Sequence, residues 1–351
     1  MPGTGAVRWG IMGTAGIARK QFLPALREAG GAAAVVAGRD LARAQDYASS
    51  QGIGRAVQGY ATLIDDPGVD AIYLPLPNGL HAEWTIRALL AGKPVLCEKP
   101  LCGTLAETRA VLAVAQETGT LLWEAFVFPF QAQLGQLRSM LADGVIGELR
   151  EIQANFHFRL TRPDDIRLRR RLAGGALNDV GCYPVRLAGE LITAPHDSAW
   201  AASIEGGDGV DVETQGSLGF LGGKRLLLSC GFRRADDTFG RLLGAGGQIN
   251  ITAPYHPRAG DTFQVCAAGK PPRSYPAADP EQPFTAALRH IQAVLHGEEE
   301  PRCLALDTSL RTAQALHDLR QSAAAQQPPA GPAPAAAAPA GAAQAGPGPG
   351  P

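Results

Sequence analysis

The first residues whose types and spacing suggest chemistry lie near the N-terminus. The run Trp9-Gly10-Ile11-Met12-Gly13-Thr14-Ala15-Gly16-Ile17-Ala18 ends an apolar stretch and opens a helical one. Against the dinucleotide fingerprint G-x-G-x-x-G/A its frame is Gly13-x-Ala15-x-x-Ala18. Small residues there let backbone N–H groups approach a pyrophosphate, and the helix N-terminus favours its negative charge. Ala15 replaces the second glycine, so the turn taken alone also fits an ordinary tight connection. The next signal is Val36-Ala37-Gly38-Arg39-Asp40. A site for NAD(H) usually ends this strand with Asp or Glu, which bonds the ribose 2′-hydroxyl. Here Gly38 stands in that place and Arg39 follows, and a guanidinium suits a 2′-phosphate in charge and fork geometry. The expectation is NADP(H) as preferred cofactor, with NAD(H) as the alternative. The competing reading makes Arg39 a solvated loop residue and Asp40 a helix cap.

Such a turn works only on a particular scaffold. Short apolar runs at residues 7–12, 33–37, 71–74, 95–97 and 121–123 read as strands buried on both faces. Helical patterns at 17–29, 41–51, 81–91 and 105–117 separate them. This alternation predicts an α/β fold whose first part is a doubly wound parallel sheet, a Rossmann domain over residues 1–125. After a helix at 133–142, residues 148–158 alternate as a half-buried strand, and 199–265 are mostly strand-like with Gly-rich turns. A second α/β domain with a large, mostly antiparallel open sheet is therefore expected over 126–322, closed by helices at 284–295 and 307–321. Residues 323–351 are almost entirely Ala, Pro, Gly and Gln, and the expectation there is disorder.

Composition narrows the function classes. The chain has 351 residues, a net charge of −1 and 45% hydrophobic residues. A near-neutral balance argues against nucleic acid or an anionic membrane as the main partner. No apolar run approaches the roughly 20 residues of a membrane span. No leader pattern opens the chain, so the expected location is the cytoplasm. The six cysteines form no C-x-x-C pair and no cluster with zinc spacing, which predicts free thiols and no metal.

Further strings carry a resemblance. Pro77-Asn78-Gly79-Leu80-His81 is followed by Gly92-Lys93-Pro94-Val95-Leu96-Cys97-Glu98-Lys99-Pro100. Glu124-Ala125-Phe126, Gly144-Val145-Ile146-Gly147-Glu148 and the run from Gly174 to Tyr183 come later, in order. Over roughly residues 6–322 the chain resembles the glucose–fructose oxidoreductase / inositol dehydrogenase / rhizopine catabolism family. The resemblance implies hydride transfer on sugars or polyols, and homodimers or homotetramers built through the second sheet. It implies a catalytic lysine at Lys99 and a second catalytic group at Tyr183, with Asp179 beside it. It also implies a cofactor bordered by Leu76, Pro77, Asn78, His81, Glu98 and Lys99. For His81 the alternative is a helix-start histidine, for Asn78 a helix cap, and for Asp179 an N-cap.

The implied roles make chemical sense. Reducing a ketone needs a hydride at carbon and a proton at oxygen. A tyrosine can give that proton, and a nearby ammonium pulls its ordinary pKa of about 10 downward. Lys99 is the expected ammonium, and it can also bond the developing oxyanion. Phe128-Pro129-Phe130-Gln131 and Pro163-Asp164-Asp165-Ile166-Arg167 look like NADPH-dependent 3-ketoreductases that act on nucleotide-linked 3,4-diketo-2,6-dideoxysugars. Phe128, Gln131, Arg162 and Arg167 are the expected substrate contacts. The basic stretch around Arg162 and Arg167 either holds a nucleotide diphosphate or is a solvated charge run. The rival functions are an aldose or trans-dihydrodiol dehydrogenase and, from another class, a non-catalytic sensor that binds NAD(P).

Overall fold

The first sheet grows from six short strands: β1 (Arg8–Met12), β2 (Ala32–Gly38), β3 (Arg55–Gln58), β4 (Ala71–Leu74), β5 (Val95–Cys97) and β6 (Leu122–Glu124). All pairs are parallel, and the spatial order is β3-β2-β1-β4-β5-β6. That is the doubly wound order of dinucleotide-binding sheets. This computed structural model describes residues 6–206, 208–277 and 281–326. The helices of the first unit are α1 (Leu23–Glu28), α2 (Leu41–Gln51), α3 (Tyr60–Ile64), α4 (His81–Leu90) and α5 (Leu105–Thr118). A wider turn, Ala18–Phe22, precedes α1.

Local signals account for the boundaries. Asp40 accepts the Arg43 N–H at 2.8 Å and so caps α2. Thr104 and Glu107 cap α5 reciprocally, and Gly119 ends it in the left-handed region. Apolar side chains cover both faces of the sheet. One core gathers Trp9, Phe22, Tyr73 and Leu288, and the other Leu63, Leu74, Leu89 and Val111. Phe22 stacks on Tyr73 with ring centroids 3.9 Å apart. A side chain as fully buried as Phe22 contributes about 2–3 kcal/mol.

The second sheet begins after α6 (Ala132–Ala142). Its strands are β7 (Leu149–His157), β8 (His196–Gly206), β9 (Val210–Phe220), β10 (Arg225–Gly231), β11 (Asp237–Gly244), β12 (Gly247–Ile251), β13 (Thr262–Ala267) and β14 (Arg273–Pro276). Their order is β14-β13-β12-β11-β7-β10-β9-β8, antiparallel except for the parallel pair β7–β10. Helix α7 (Cys182–Leu191) and α9 (Ala305–Gln326) pack on one face of this sheet. Helix α8 (Pro283–Leu295) returns to the first unit, where Phe284, Leu288 and Ile291 join the core beside Phe22.

The structure changes the expected tail. Helix α9 runs on to Gln326, and Ala323 is buried with Leu316 and Leu319. Residues 323–326 are therefore ordered helix, because one more turn of α9 still meets the core. The rest of the expected tail, 327–351, lies outside the described residues.

Candidate active site

The two sheets border a cleft of about 1340 Å³. The β1 turn supplies one wall through Gly13, Thr14, Ala15, Gly16 and Ile17. Gly13 has φ +97°, and a Cβ there would meet Leu76 Cδ2 at 3.0 Å. Only glycine fits that conformation and that contact. Ala18, by contrast, is fully buried and faces the core, where a small residue lets the helix approach the sheet.

Gly38 and Arg39 also line the cleft, together with Arg43 and Tyr60. A Cβ on Gly38 would meet Ala44 Cβ at 3.0 Å and the Asp40 carbonyl at 3.1 Å. An acidic side chain at Gly38 is thus disfavoured by packing as well as missing from the sequence. Asp40 caps α2 while Arg39 faces the cleft, so the two readings of this segment hold together. Arg43, one turn into α2, escaped the sequence reading because no motif marks it.

Leu76, Pro77, Asn78, Glu98 and Lys99 continue the same wall. Asn78 does not cap α4; its amide donates to the Ala173 carbonyl at 3.0 Å and ties the two units together. His81 lies off the cleft wall. It is fully buried, with Nε2 2.7 Å from the Leu76 carbonyl and Nδ1 2.9 Å from the Pro100 carbonyl. Its ring pins the two segments that carry cleft residues, and burial lowers its pKa. Glu98 is anchored by the Tyr73 hydroxyl at 2.7 Å.

Lys99, Asp179 and Tyr183 converge although some 80 residues separate the first from the others. Lys99 sits just past β5, and Asp179 lies in the wide turn Leu177–Gly181 that leads into α7. Lys99 Nζ donates to the Asp179 carbonyl at 2.6 Å and to its Oδ1 at 3.2 Å. Arg167 Nε donates to Asp179 Oδ2 at 2.6 Å. Asp165 in turn pairs with Arg167 and Arg162, so charges alternate along the line. Asp179 makes no N-cap bond to α7. Burial alone would lower the Lys99 pKa, but Asp179 and Tyr183 more than offset it and keep the ammonium. Burial would raise Asp179, yet Lys99 and Arg167 hold it below the usual carboxylate range.

Lys99 Nζ lies 4.9 Å from the centre of the Tyr183 ring. Phe126, Phe156, Tyr255 and His256 surround that ring with centroids 5.1–5.4 Å away. The expected lowering of the Tyr183 pKa is reversed. Burial among these rings raises it, and the opposing pull of Lys99 only moderates the rise. The phenol therefore stays protonated at neutral pH.

The expected substrate contacts separate into two groups. Arg162 and Arg167 line the cleft. Phe128 and Gln131 do not: Phe128 is 2% exposed in the second core, and Gln131 is buried with its amide unpaired. Apolar neighbours hold Phe128 inward, where it backs the Tyr183 ring. Phe156, Phe158, His256 and Arg258 line the cleft without having been foreseen. His256 is exposed in the cleft, where partial loss of water and the cations Lys99 and Arg258 lower its pKa. It follows β12 in a Pro-flanked loop that carries no motif.

Two family models cover most of the described chain. An oxidoreductase-family domain with an NAD-binding Rossmann fold matches residues 7–126, and a GFO/IDH/MocA C-terminal domain matches residues 134–250. The chain belongs to the Gfo/Idh/MocA oxidoreductase family. Among relatives within this oxidoreductase family, D-xylose 1-dehydrogenase (NADP(+)) 2 of Haloferax volcanii is 32% identical, over 90% of this chain and 98% of its own. The dTDP-3,4-didehydro-2,6-dideoxy-alpha-D-glucose 3-reductase of Streptomyces violaceoruber is 38% identical, over 73% of this chain and 75% of its own. The crystal structure of a 3-ketoreductase from Actinomadura kijaniata in complex with NADP and TDP-benzene superposes with a TM-score of 0.84. It is 33% identical and covers 90% of this chain and 98% of its own. Among the described residues no helix is long and apolar enough to cross a membrane.

Proposed function

We propose that this oxidoreductase uses NADPH to reduce a keto-sugar, namely the C-3 keto group of a nucleotide-linked 3,4-diketo-2,6-dideoxysugar. The observation that carries the reading is Tyr183 on the cleft wall, with Lys99 Nζ 4.9 Å from its ring and 3.2 Å from Asp179 Oδ1. The bound nicotinamide dinucleotide supplies the hydride. Tyr183 gives its proton to the carbonyl oxygen as charge develops there. Lys99 stabilises that oxygen and the tyrosinate left behind. Arg39 and Arg43 hold the 2′-phosphate, and the Gly13–Ile17 turn receives the pyrophosphate. Arg162 and Arg258 hold the diphosphate of the substrate.

The cleft volume supports two ligands, since a single small-molecule site is about 300–1,000 Å³ and this one is about 1340 Å³. The division into a cofactor unit over 1–125 and a substrate unit over 126–322 belongs to the same reading. So does assembly into a homodimer or homotetramer. Trp200, Ile204, Leu227 and Phe239 stand exposed on one open face of the second sheet, an apolar surface that a second copy would cover.

The Haloferax relative, matched over nearly its whole length, favours a second reading: oxidation of a free aldose with NADP⁺. The test is nicotinamide absorbance with purified protein in two assays. One pairs NADPH with a dTDP-linked 3,4-diketo-2,6-dideoxyhexose, and the other pairs NADP⁺ with D-xylose. Turnover of the nucleotide sugar is the expected result. Turnover of xylose alone overturns the substrate, and cofactor binding without either turnover supports the sensor.

A further inference from the structure

A second cavity, of about 390 Å³, lies behind the helix that carries Tyr183. It shares no lining residue with the cleft. Val185, Arg186, Gly189 and Glu190 of α7 form one side. Leu218 and Phe220 of β9 and Ala315 of α9 form an apolar floor. The size falls within the range of small-molecule sites.

Its charges are unevenly matched. Arg186 is 3% exposed. Its Nε donates to Glu190 Oε1 at 2.6 Å, its Nη1 stands 3.8 Å from Glu124 Oε2, and Nη1 has no hydrogen-bond partner. Nη1 has no accessible surface and stands toward Glu124, which does not line the cavity, so it is not offered to a ligand there. The two carboxylates that line the cavity are already engaged. Glu190 takes Arg138 as well as Arg186, and Asp318 takes His196 and Gln314. On the rim, Arg109 donates to Gln314 and Arg311 to the Thr193 carbonyl. These two guanidinium groups stand beside an apolar floor, a lining that suits a molecule with an anionic head and an apolar body.

We propose that this cavity binds a small amphipathic organic acid, with its anionic head toward Arg109 and Arg311 and its apolar body against Leu218 and Phe220. An acid group accepts hydrogen bonds from guanidinium groups with good geometry, and a hydrocarbon body gains by leaving water. The site is independent of the reaction assigned to the cleft. A substitution that should preserve the fold is available, because a Cβ on Gly189 would meet nothing within 4 Å. Gly189→Leu therefore pushes a side chain into the cavity and adds a better helix former.

The probe is 8-anilinonaphthalene-1-sulfonate, titrated by fluorescence into the full chain with NADPH saturating the cleft. One probe per chain is expected. Its affinity should fall about tenfold or more in Gly189→Leu and in the double variant Arg109→Glu/Arg311→Glu, with NADPH affinity unchanged in both. The neutral probe N-phenyl-1-naphthylamine should bind about tenfold more weakly than the sulfonate. Sulfonate binding that NADPH displaces, or that Gly189→Leu leaves intact, overturns the site. A neutral probe that binds as tightly overturns the choice of an acid.

Discussion

Replacing Asp179 by Asn removes one charge from the Lys99–Asp179–Arg167 network and almost no volume. Two unit charges 3.2 Å apart attract by roughly 5 kcal/mol at an effective dielectric of about 20. One pKa unit corresponds to about 1.4 kcal/mol, so full loss of the attraction would lower Lys99 by about three to four units. The Asp179 carbonyl, 2.6 Å from Nζ, remains, and the Asn oxygen still accepts. We therefore expect a fall of about two units. The sign follows from the folded state. Lys99 is raised above its ordinary value, so the ammonium persists through neutral pH and is lost only as pH rises past that higher value. Without Asp179 the same loss begins at lower pH. The assay is kcat/KM for keto-sugar reduction between about pH 6 and pH 10. The native profile should show no basic limb from Lys99 in this range, and the variant's kcat/KM should begin to fall toward its upper end while NADPH affinity holds. A variant profile as flat as the native one, with native turnover, would refute the reasoning.

Tyr183→Phe should lower kcat by about 10²–10⁴ and leave NADPH binding, read by fluorescence titration, intact. Arg39→Glu should weaken NADPH about 10- to 100-fold and leave NADH affinity unchanged, because the contact proposed for that side chain is with the 2′-phosphate. Gly38→Asp drives a Cβ to 3.0 Å from Ala44 Cβ, and urea unfolding should show a loss of about 1–3 kcal/mol. For the reverse reaction Tyr183 must first lose its proton, and its pKa lies above the ordinary value. Oxidation kcat/KM should then climb about tenfold per pH unit from neutral to about pH 9, and a plateau across that range would contradict a raised Tyr183.

The parts of the fold that were legible in sequence are those that one local force dominates. β4 is four consecutive buried apolar residues, and such a run reads as a buried strand without ambiguity. β3 was missed because Arg55–Gln58 is half-exposed and polar at both ends, and α3 because a single turn shows no period. The return of α8 to the first core is a tertiary choice that nothing within its thirteen residues announces. In the site, the same division holds. Gly13, Gly38 and Lys99 sit at strand ends, where topology brings residues to one edge. His256 and Phe156 reach the cleft only through the packing of the second sheet. Phe128 lies off the cleft because an apolar neighbourhood, invisible in spacing, holds it in the core, and Gln131 is buried too.

The reversal at Tyr183 also explains why the site needs so many charges for one proton. Lys99 and Arg167 share the single Asp179 carboxylate, and Asp165 answers Arg167 and Arg162. Lys99, nearest the phenol, favours loss of the proton, and Asp179 and Glu98 oppose it. Removing those acids would strengthen the pull on the proton, and removing Lys99 would leave the departing tyrosinate unsupported. Burial by Phe126, Phe156 and Tyr255 works in the opposite direction and holds the proton on in the resting enzyme. In the proposed reaction the field is felt most strongly when negative charge develops on the carbonyl oxygen and then on Tyr183, which is where stabilisation accelerates a reaction. Lys99 follows β5 of the first sheet, and Asp179 and Tyr183 lie in the turn and helix that pack on the second, so this balance exists only where the two units meet.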